Sequence, residues 1–307
     1  MIGENDHPSI TGIVKGVIEA QQAFSIEEEC IEFLFRLKWP AGYLCPKCGC
    51  SHAYTITTRR LPLYECSYCG HQTSLTANTM MEKSRTPLHK WLTALSLVSC
   101  PDSAINAVQL ADVLDVTYKT AWSMLHKIRR AISIADHADP LLGQVQAGLV
   151  LYGRQVKTCD SATCPLPANP PVSKHPLILG VGYDVNEEPV QLKLKIVPQN
   201  HMSGHHLFPS GKRHFIEQWG HAGMLEEHIC AKRFIFYRNR SLIAIFRSAE
   251  AWINRTFHGI GRRHLQLYLD EFCFRFQFRD RPHEALSRLV SFCLSVCPNA
   301  RLSQKVI

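Results

Sequence analysis

The spacing of apolar and polar positions changes character near the middle of the chain. In the first part it is helical. Ser25 precedes Glu27, Glu28 and Glu29, an N-cap followed by acids in a first turn. Ile31, Leu34, Phe35 and Leu37 carry that helix to about Trp39, where Pro40 stops it. Pro87 at a first helical position opens another helix through Trp91, Leu95 and Val98. Ala107–Leu114 reads as a short helix, Asp115–Thr117 as a turn, and Thr117 as the cap of a long helix over Tyr118–Ile134. On that long helix Ala121, Leu125, Ile128 and Ile132 share one face. Lys119, Ser123, His126 and Arg130 lie opposite, flanked by Lys127 and Arg129. Such a helix packs with one side and offers cations and donors with the other, as a helix-turn-helix does in the major groove or along phosphates. An ordinary solvated basic face has the same pattern.

Beyond Ala138–Pro140 the period becomes that of strands. Gln144–Tyr152 and Pro176–Asp184 are apolar runs. Val190, Leu192, Leu194 and Ile196 alternate with Gln191, Lys193 and Lys195, a half-buried strand whose lysines face outward. Val185–Pro189 lies between the last two as a hairpin turn, Lys232–Tyr237 is a shorter strand, and helices fill the rest. Cys159–Pro176 holds five prolines and reads as a loop. Phe272–Phe278 alternates like a strand, yet Leu265, Tyr268, Leu269 and Phe272 have helical spacing, which favours one amphipathic helix.

Four cysteines between the first two helices add chemistry. Cys45, Cys48, Cys66 and Cys69 form a C-x2-C-x17-C-x2-C array, the spacing at which two short turns deliver four soft ligands to a tetrahedral zinc ion. Gly49 and Gly70 follow each pair where the chain must bend sharply. Two disulfides, or four unrelated buried thiols, are the competing readings. Strands are expected near Tyr54–Thr58 and Leu63–Cys66. Of the remaining cysteines, Cys273, Cys293 and Cys297 sit in apolar surroundings like buried thiols. Cys159 and Cys164 have no partner pair nearby. His201, His205, His206 and His214 cluster in sequence but read as polar loop and surface residues.

Composition changes this picture little. The net charge of +8 leans toward a polyanionic partner without requiring one. No apolar run is long enough for a transmembrane helix, and residues 1–22, a weakly structured lead-in, lack the layout of a signal peptide. A cytoplasmic, reducing setting is expected, which suits zinc-bound thiolates better than disulfides.

Several stretches resemble one family: Trp39-Pro-Ala-Gly-Tyr-Leu-Cys-Pro-Lys-Cys48, the Cys66/Cys69 knuckle, Gln72-Thr-Ser-Leu-Thr-Ala-Asn-Thr79, Pro87-Leu-His-Lys-Trp91 and Lys119-Thr-Ala-Trp-Ser-Met-Leu-His-Lys-Ile-Arg-Arg130. His264-Leu-Gln-Leu-Tyr-Leu-Asp-Glu-Phe-Cys-Phe-Arg275 resembles its last helix. The family is that of zinc-ribbon insertion-sequence transposases with a ribonuclease-H-like DDE domain (the ISXO/ISSod-like group). The resemblance implies an α/β chain: an N-terminal zinc ribbon and helix-turn-helix followed by a ribonuclease-H-like mixed α/β domain. The divisions expected are a lead-in at 1–22, helix plus ribbon at 23–80, a helix-turn-helix region at 81–140 and a degenerate transposase domain at 141–300. The implied partner is double-stranded DNA at terminal inverted repeats, with a homodimer also considered.

The family's chemistry needs two Asp and one Glu to hold two Mg²⁺ ions at a phosphodiester. Here the first position reads Val145-Gln-Ala-Gly148-Leu-Val150, the second falls at Ser210, and counting back from Gly259 brings the third to Arg247. None can serve as an anionic ligand. Glu250 and Asp184 are the nearest substitutes, with Asp160, Glu187, Glu188, Glu217, Glu226 and Glu227 further off. The expectation is a transposase-family DNA-binding protein, catalytically impaired, with structural zinc and with Mg²⁺ only if catalysis survives. The alternative is a non-catalytic DNA-binding or regulatory protein derived from a transposase.

Overall fold

A computed structural model describes residues 22, 24–100, 104–153, 174–203, 206–231 and 239–296. The expected Lys232–Tyr237 strand, most of the Pro-rich loop and Cys159, Asp160, Cys164, His205 and Cys297 lie outside them. The chain forms two compact units. One holds the described residues up to Ala135 together with those from Phe278 onward, and the other runs from Asp136 to Gln277.

In the first unit, helix α1 covers Glu27–Lys38. Ser25 does not cap it: the N-cap is Ile26, with no side-chain bond. Glu27 instead turns to the start of helix α2, Leu88–Ser99, and accepts from the amides of Leu88 (3.2 Å) and His89 (3.3 Å) and shares a bond with His89 Nδ1 (3.2 Å). Two orphan donors at a helix start are thereby met by a carboxylate, which also suits the helix dipole. Pro87 is accordingly the N-cap of α2 and not its first residue. At its other end α1 sends Lys38 Nζ to the carbonyls of Ser74 (3.3 Å), Leu75 (2.8 Å) and Ala77 (2.8 Å). Burial lowers this ammonium to about 8. The sheet between those anchors is a meander of β1 (Ala53–Ile56), β2 (Leu63–Cys66) and β3 (Gln72–Ser74), all antiparallel.

Helix α3 (Ala107–Leu114) follows, then three turn residues and helix α4 (Tyr118–His137), close to the expected spans. Asn106 and Gln109 form a capping box on α3, and Asp115 ends it in the left-handed region at φ 48°. Thr117 caps α4 as expected, its Oγ1 accepting from the amide of Thr120 at 3.2 Å. Lys90 of α2 donates to the carbonyl of Asp115 (3.0 Å) and so holds the turn. Helix α8 (Pro282–Ser295), within the expected 141–300 division, packs on α1 and α2, where Cys293 O accepts from Met80 N at 2.8 Å. Chain order thus does not set unit membership here.

The second unit is built on a sheet ordered β6-β5-β4-β9: β4 (Gln144–Tyr152), β5 (His175–Tyr183) and β6 (Pro189–Ile196) are antiparallel neighbours, and β9 (Ile229–Cys230) runs parallel to β4. Two residues each form the small hairpin β7 (Met202–Ser203) and β8 (His206–Leu207). Strand alternation gives the sheet two apolar faces. Val150, Tyr152, Leu177, Leu179, Val181, Leu192 and Leu194 pack under Leu242, Ile243 and Phe246 of α6 (Arg240–Phe257) and Leu265, Leu269 and Cys273 of α7 (Arg262–Gln277). Ala147, Leu149 and Ile178 on the other face meet Phe215 and Trp219 of α5 (Pro209–Trp219). The alternating Phe272–Phe278 segment is helical to Gln277, as its preceding spacing predicts. Cys273 and Cys293 are buried thiols, and burial raises Cys293 to about 12.

One expectation fails on β6. Lys193 and Lys195 do not face outward but are 2% and 4% exposed. Lys193 Nζ donates to the carbonyl and to Oδ1 of Asp136, both at 2.8 Å, and Lys195 Nζ bridges Asp136 to Asp270 Oδ1 (2.7 Å). The two ammonium and two carboxylate charges cancel, which is what lets long cations enter an interior. Helix α7 lies along this edge strand. Its Gln266 accepts from Ile196 N (2.9 Å) and donates to Leu194 O (2.8 Å) and Asp270 Oδ1 (2.8 Å), standing in for a neighbouring strand.

Lys195→Met should therefore cost the second unit about 3–5 kcal/mol in denaturant unfolding, because it takes the ammonium from buried Asp270 and leaves Asp136 with Lys193 alone. Burial alone would raise Asp136, but Lys195 and Lys193 outweigh it and hold its carboxyl below the ordinary range. Its contribution is present above the unfolded carboxylate value of about 3.9 and is lost as pH falls below it. Unfolding midpoints measured across pH 3–6 should show that acid-side loss (about pH 4 downward) in the wild type and a weaker one in Lys195→Met.

Candidate functional site

The cysteine array folds into two matching knuckles. In the first, Gly49 N donates to Cys45 O (2.9 Å) and Cys45 N to Cys50 O (2.9 Å). In the second, Gly70 N donates to Cys66 O (3.0 Å) and Cys66 N to His71 O (3.0 Å). Gly49 and Gly70 take φ of 72° and 64°, the left-handed conformation that each turn needs and that a side chain would strain. Strand β2 delivers Cys66 at its last residue. Beneath the knuckles, Trp39 lies edge-on to Phe35, Tyr43 and Tyr64 at centroid distances of 5.1–5.3 Å, an aromatic floor joining α1 to the ribbon.

The four sulfurs lie within 4.8 Å of one another, with Cys45–Cys69 at 3.7 Å and Cys48–Cys66 at 3.5 Å. Four Zn–S bonds of about 2.3 Å in a tetrahedron place sulfurs about 3.8 Å apart, so the donors fit a structural zinc ion. Burial pushes the Cys45 thiol up, but the amides of Lys47 and Cys48 and the neighbouring sulfurs outweigh it and bring it down to about 6. That supply of donors to a sulfur favours thiolate, the form that binds metal. The disulfide alternative is not adopted: these cysteines are free thiols whose facing sulfurs are too far apart for an S–S bond.

The outer face of α4 is divided. Lys119 and Ser123 are exposed, as the wheel predicts, and His126 and Arg130 are half-buried. Arg129 is buried at 2% exposure and cannot form part of an outer face. The packed arc includes Met124, Ala131 and Ser133 besides the four apolar residues expected, and that width takes in the flank where Arg129 stands. Lys127 also turns inward: its Nζ lies 5.9 Å from the Trp91 ring, and burial lowers its ammonium against the pull of Glu82. The aromatic residues of this face, exposed Tyr118 and Trp122, escaped a reading that sought cations only.

In the second unit the expected carboxylate positions are structurally occupied by other roles. Gly148 pairs with Leu179 and shares the parity of Val150 and Tyr152, so it points into the apolar face under α6 and α7. Ser210 shares a hydrogen bond with His201 Nδ1 (3.0 Å), and Arg247 is exposed on α6. The substitutes do not converge. Asp184 organises the β5–β6 turn, its Oδ1 accepting from the amides of Asn186 (2.9 Å) and Glu188 (2.8 Å). Glu250 accepts from the amide of Gly153, just past the other end of β4, and burial holds its carboxyl above the ordinary range. Gln144 pairs with Tyr183 and Tyr152 with His175, so the two acids sit at opposite ends of the sheet. Eight strand steps at about 3.3 Å put roughly 26 Å between those ends. Glu187 and Glu188 belong to the same turn as Asp184, Glu217 is exposed on α5, and Glu226 pairs with Arg213 (3.3 Å) in a short turn that also holds Glu227. His201 and His214 stack at 5.2 Å, while His206 is exposed on β8. Among the described residues the four cysteines are the one group of three or more His, Cys, Asp or Glu placed to hold a metal ion.

The fold around the cysteines is that of a zinc ribbon. Residues 25–72 match the family model described as "Transposase zinc-ribbon domain", of the IS1595 kind. The match takes in α1, both knuckles and strands β1 and β2, and ends at the first residue of β3. No curated protein and no solved structure matches the chain. Among the described residues no helix is long and apolar enough to cross a membrane.

Replacing Cys66 by Ser should lower bound zinc from one ion per chain to none, measured by metal analysis of the purified protein. Chelation of the wild type should disrupt the β1–β3 meander, read by near-ultraviolet circular dichroism of the aromatic floor, with recovery on returning zinc.

Proposed function

We propose that this chain is a transposase-family protein that binds double-stranded DNA, at repeats such as those ending an insertion sequence, and that no longer carries out the two-metal cutting chemistry of its relatives. The observation that carries the first half is the four-cysteine ribbon, similar over residues 25–72 to the zinc ribbon of transposases. Within the same unit stands a pair of helices joined by a three-residue turn, with Lys119 and Ser123 exposed near the start of the second. This is the arrangement in which a helix-turn-helix offers its first turns to base edges and phosphates. The exposed Arg59 and Arg60 beyond β1 add cations on the ribbon itself.

The second half rests on ligand chemistry. A ribonuclease-H-like reading of the second unit is supported by its antiparallel three-strand core, the parallel addition of β9 and helices on both faces. Two Mg²⁺ ions need several anionic oxygens from separate elements at one place. Gly148, Ser210 and Arg247 supply none, and Glu250 and Asp184 lie too far apart to share an ion. This separation also favours the second reading, a regulatory DNA-binding protein in which the former catalytic unit serves as scaffold.

The test is a binding titration on duplex DNA at several salt concentrations. The wild type should bind with an affinity that falls steeply with salt. Lys119→Ala should weaken binding across sequences and reduce the salt slope by about one. Arg129→Met should alter stability and leave that slope unchanged. Equal slopes for the wild type and Lys119→Ala would remove α4 from the interface.

A further inference from the structure

Tyr118, Trp122 and His126 follow one another at four-residue intervals near the start of α4, on one side of the helix. Tyr118 is 58% exposed and Trp122 is 37% exposed. The Trp122 indole and the His126 imidazole stack with centroids 4.7 Å apart and planes only 11° from parallel. Lys119 and Ser123, each one position further along, are exposed beside them. A large apolar ring at the surface is ordinary taken singly. Here it is fixed in orientation by a neighbour, in the first turns of the helix that would enter a groove, and bordered by a cation and a hydroxyl.

The stack decides what the ring can do. With one face of the indole covered by imidazole, it cannot be sandwiched between two bases, and only its other face is left for stacking. What the ring offers a groove is apolar carbon, its open face and its edge. In the major groove the one apolar group on a base edge is the thymine C5-methyl, and the neighbouring T O4 and purine N7 are acceptors. An apolar ring edge is complementary to that methyl group.

We propose that Trp122, held by His126, is a specificity-determining residue that reads thymine in the major groove of duplex DNA, with Lys119 and Ser123 anchoring the adjacent backbone or bases. The inference rests on the DNA-binding reading and deepens it. That reading concerns whether α4 meets duplex DNA; this one concerns which side chain tells one sequence from another.

The experiment uses the full, zinc-loaded chain. Preferred duplexes are selected from a randomised library with the wild type, then resynthesised with deoxyuridine in place of thymine, which deletes only the methyl group. The wild type should lose roughly tenfold in affinity when a critical thymine becomes deoxyuridine. Trp122→Ala should bind the thymine duplex about as weakly as the wild type binds the deoxyuridine one, make no distinction between the two, and keep its affinity for unrelated duplex DNA. Trp122→Phe, which keeps a ring in place, should recover part of the distinction, and circular dichroism should show both variants folded. Trp122→Ala that still prefers thymine, or that loses affinity equally on every duplex, overturns the proposal. A loss seen on single-stranded DNA alone overturns it in favour of base stacking. A wild type that binds no duplex at any salt overturns the DNA-binding reading and this inference with it, whereas a wild type that binds duplexes with no thymine dependence overturns the inference alone.

Discussion

Charge taken out of water must be met by opposite charge, and both units of this protein are organised around that requirement. In the first, four cysteine sulfurs converge where a zinc dication matches thiolate ligands, and an aromatic floor of Phe35, Trp39, Tyr43 and Tyr64 closes beneath them. In the second, two buried lysines of one strand are matched by Asp136 and Asp270. Between those two carboxylates the cation is the ammonium of Lys195. The rest of each unit packs around these assemblies: α1 is tied to the ribbon at Trp39 and Lys38, and α7 to the edge strand at Gln266 and Asp270.

The same requirement bears on function. A catalytic carboxylate needs a place where metal and phosphate can reach it. The position expected to hold the first aspartate is Gly148, on a sheet face filled by Leu179, Val150 and the apolar residues of α6. An aspartate there would need a cation beside it, and what surrounds it is hydrocarbon. Glu250 and Asp184 each already serve the backbone, one at Gly153 and the other at the β5–β6 turn. Among the described residues of the second unit, Glu226 pairs with Arg213 and Glu217 stands exposed.

Much of this was legible in the sequence where a local rule governs. The knuckle spacing, the Asp115–Thr117 turn, the Thr117 cap and strand Gln144–Tyr152 depend on neighbours a few residues away, and they stand as read. What failed needed distant partners. Lys193 and Lys195 looked solvated because alternation records which side of a strand a residue faces and not what covers that side; their carboxylates lie 57 and 75 residues away. Glu27 does stand in its own first turn, as read, but its second role, at the start of a helix some 61 residues on, has no local signal. Arg129 looked like a DNA contact because a wheel drawn from four apolar residues made the packed arc too narrow. Trp122 was passed over because an apolar residue on a polar face carries no signal until its exposure and its stacked neighbour are visible.

The most direct measurement of the central claim places binding and cutting side by side on one sample. The zinc-loaded chain is titrated with its preferred duplex while strand integrity is followed on a denaturing gel, with Mg²⁺ or with chelator. Binding should be saturable, and strand breakage no greater with Mg²⁺ than with chelator, in the wild type and in Glu250→Gln alike. Mg²⁺-dependent cleavage that tracks binding and disappears in Glu250→Gln would show that the carboxylates do assemble, and would contradict that claim.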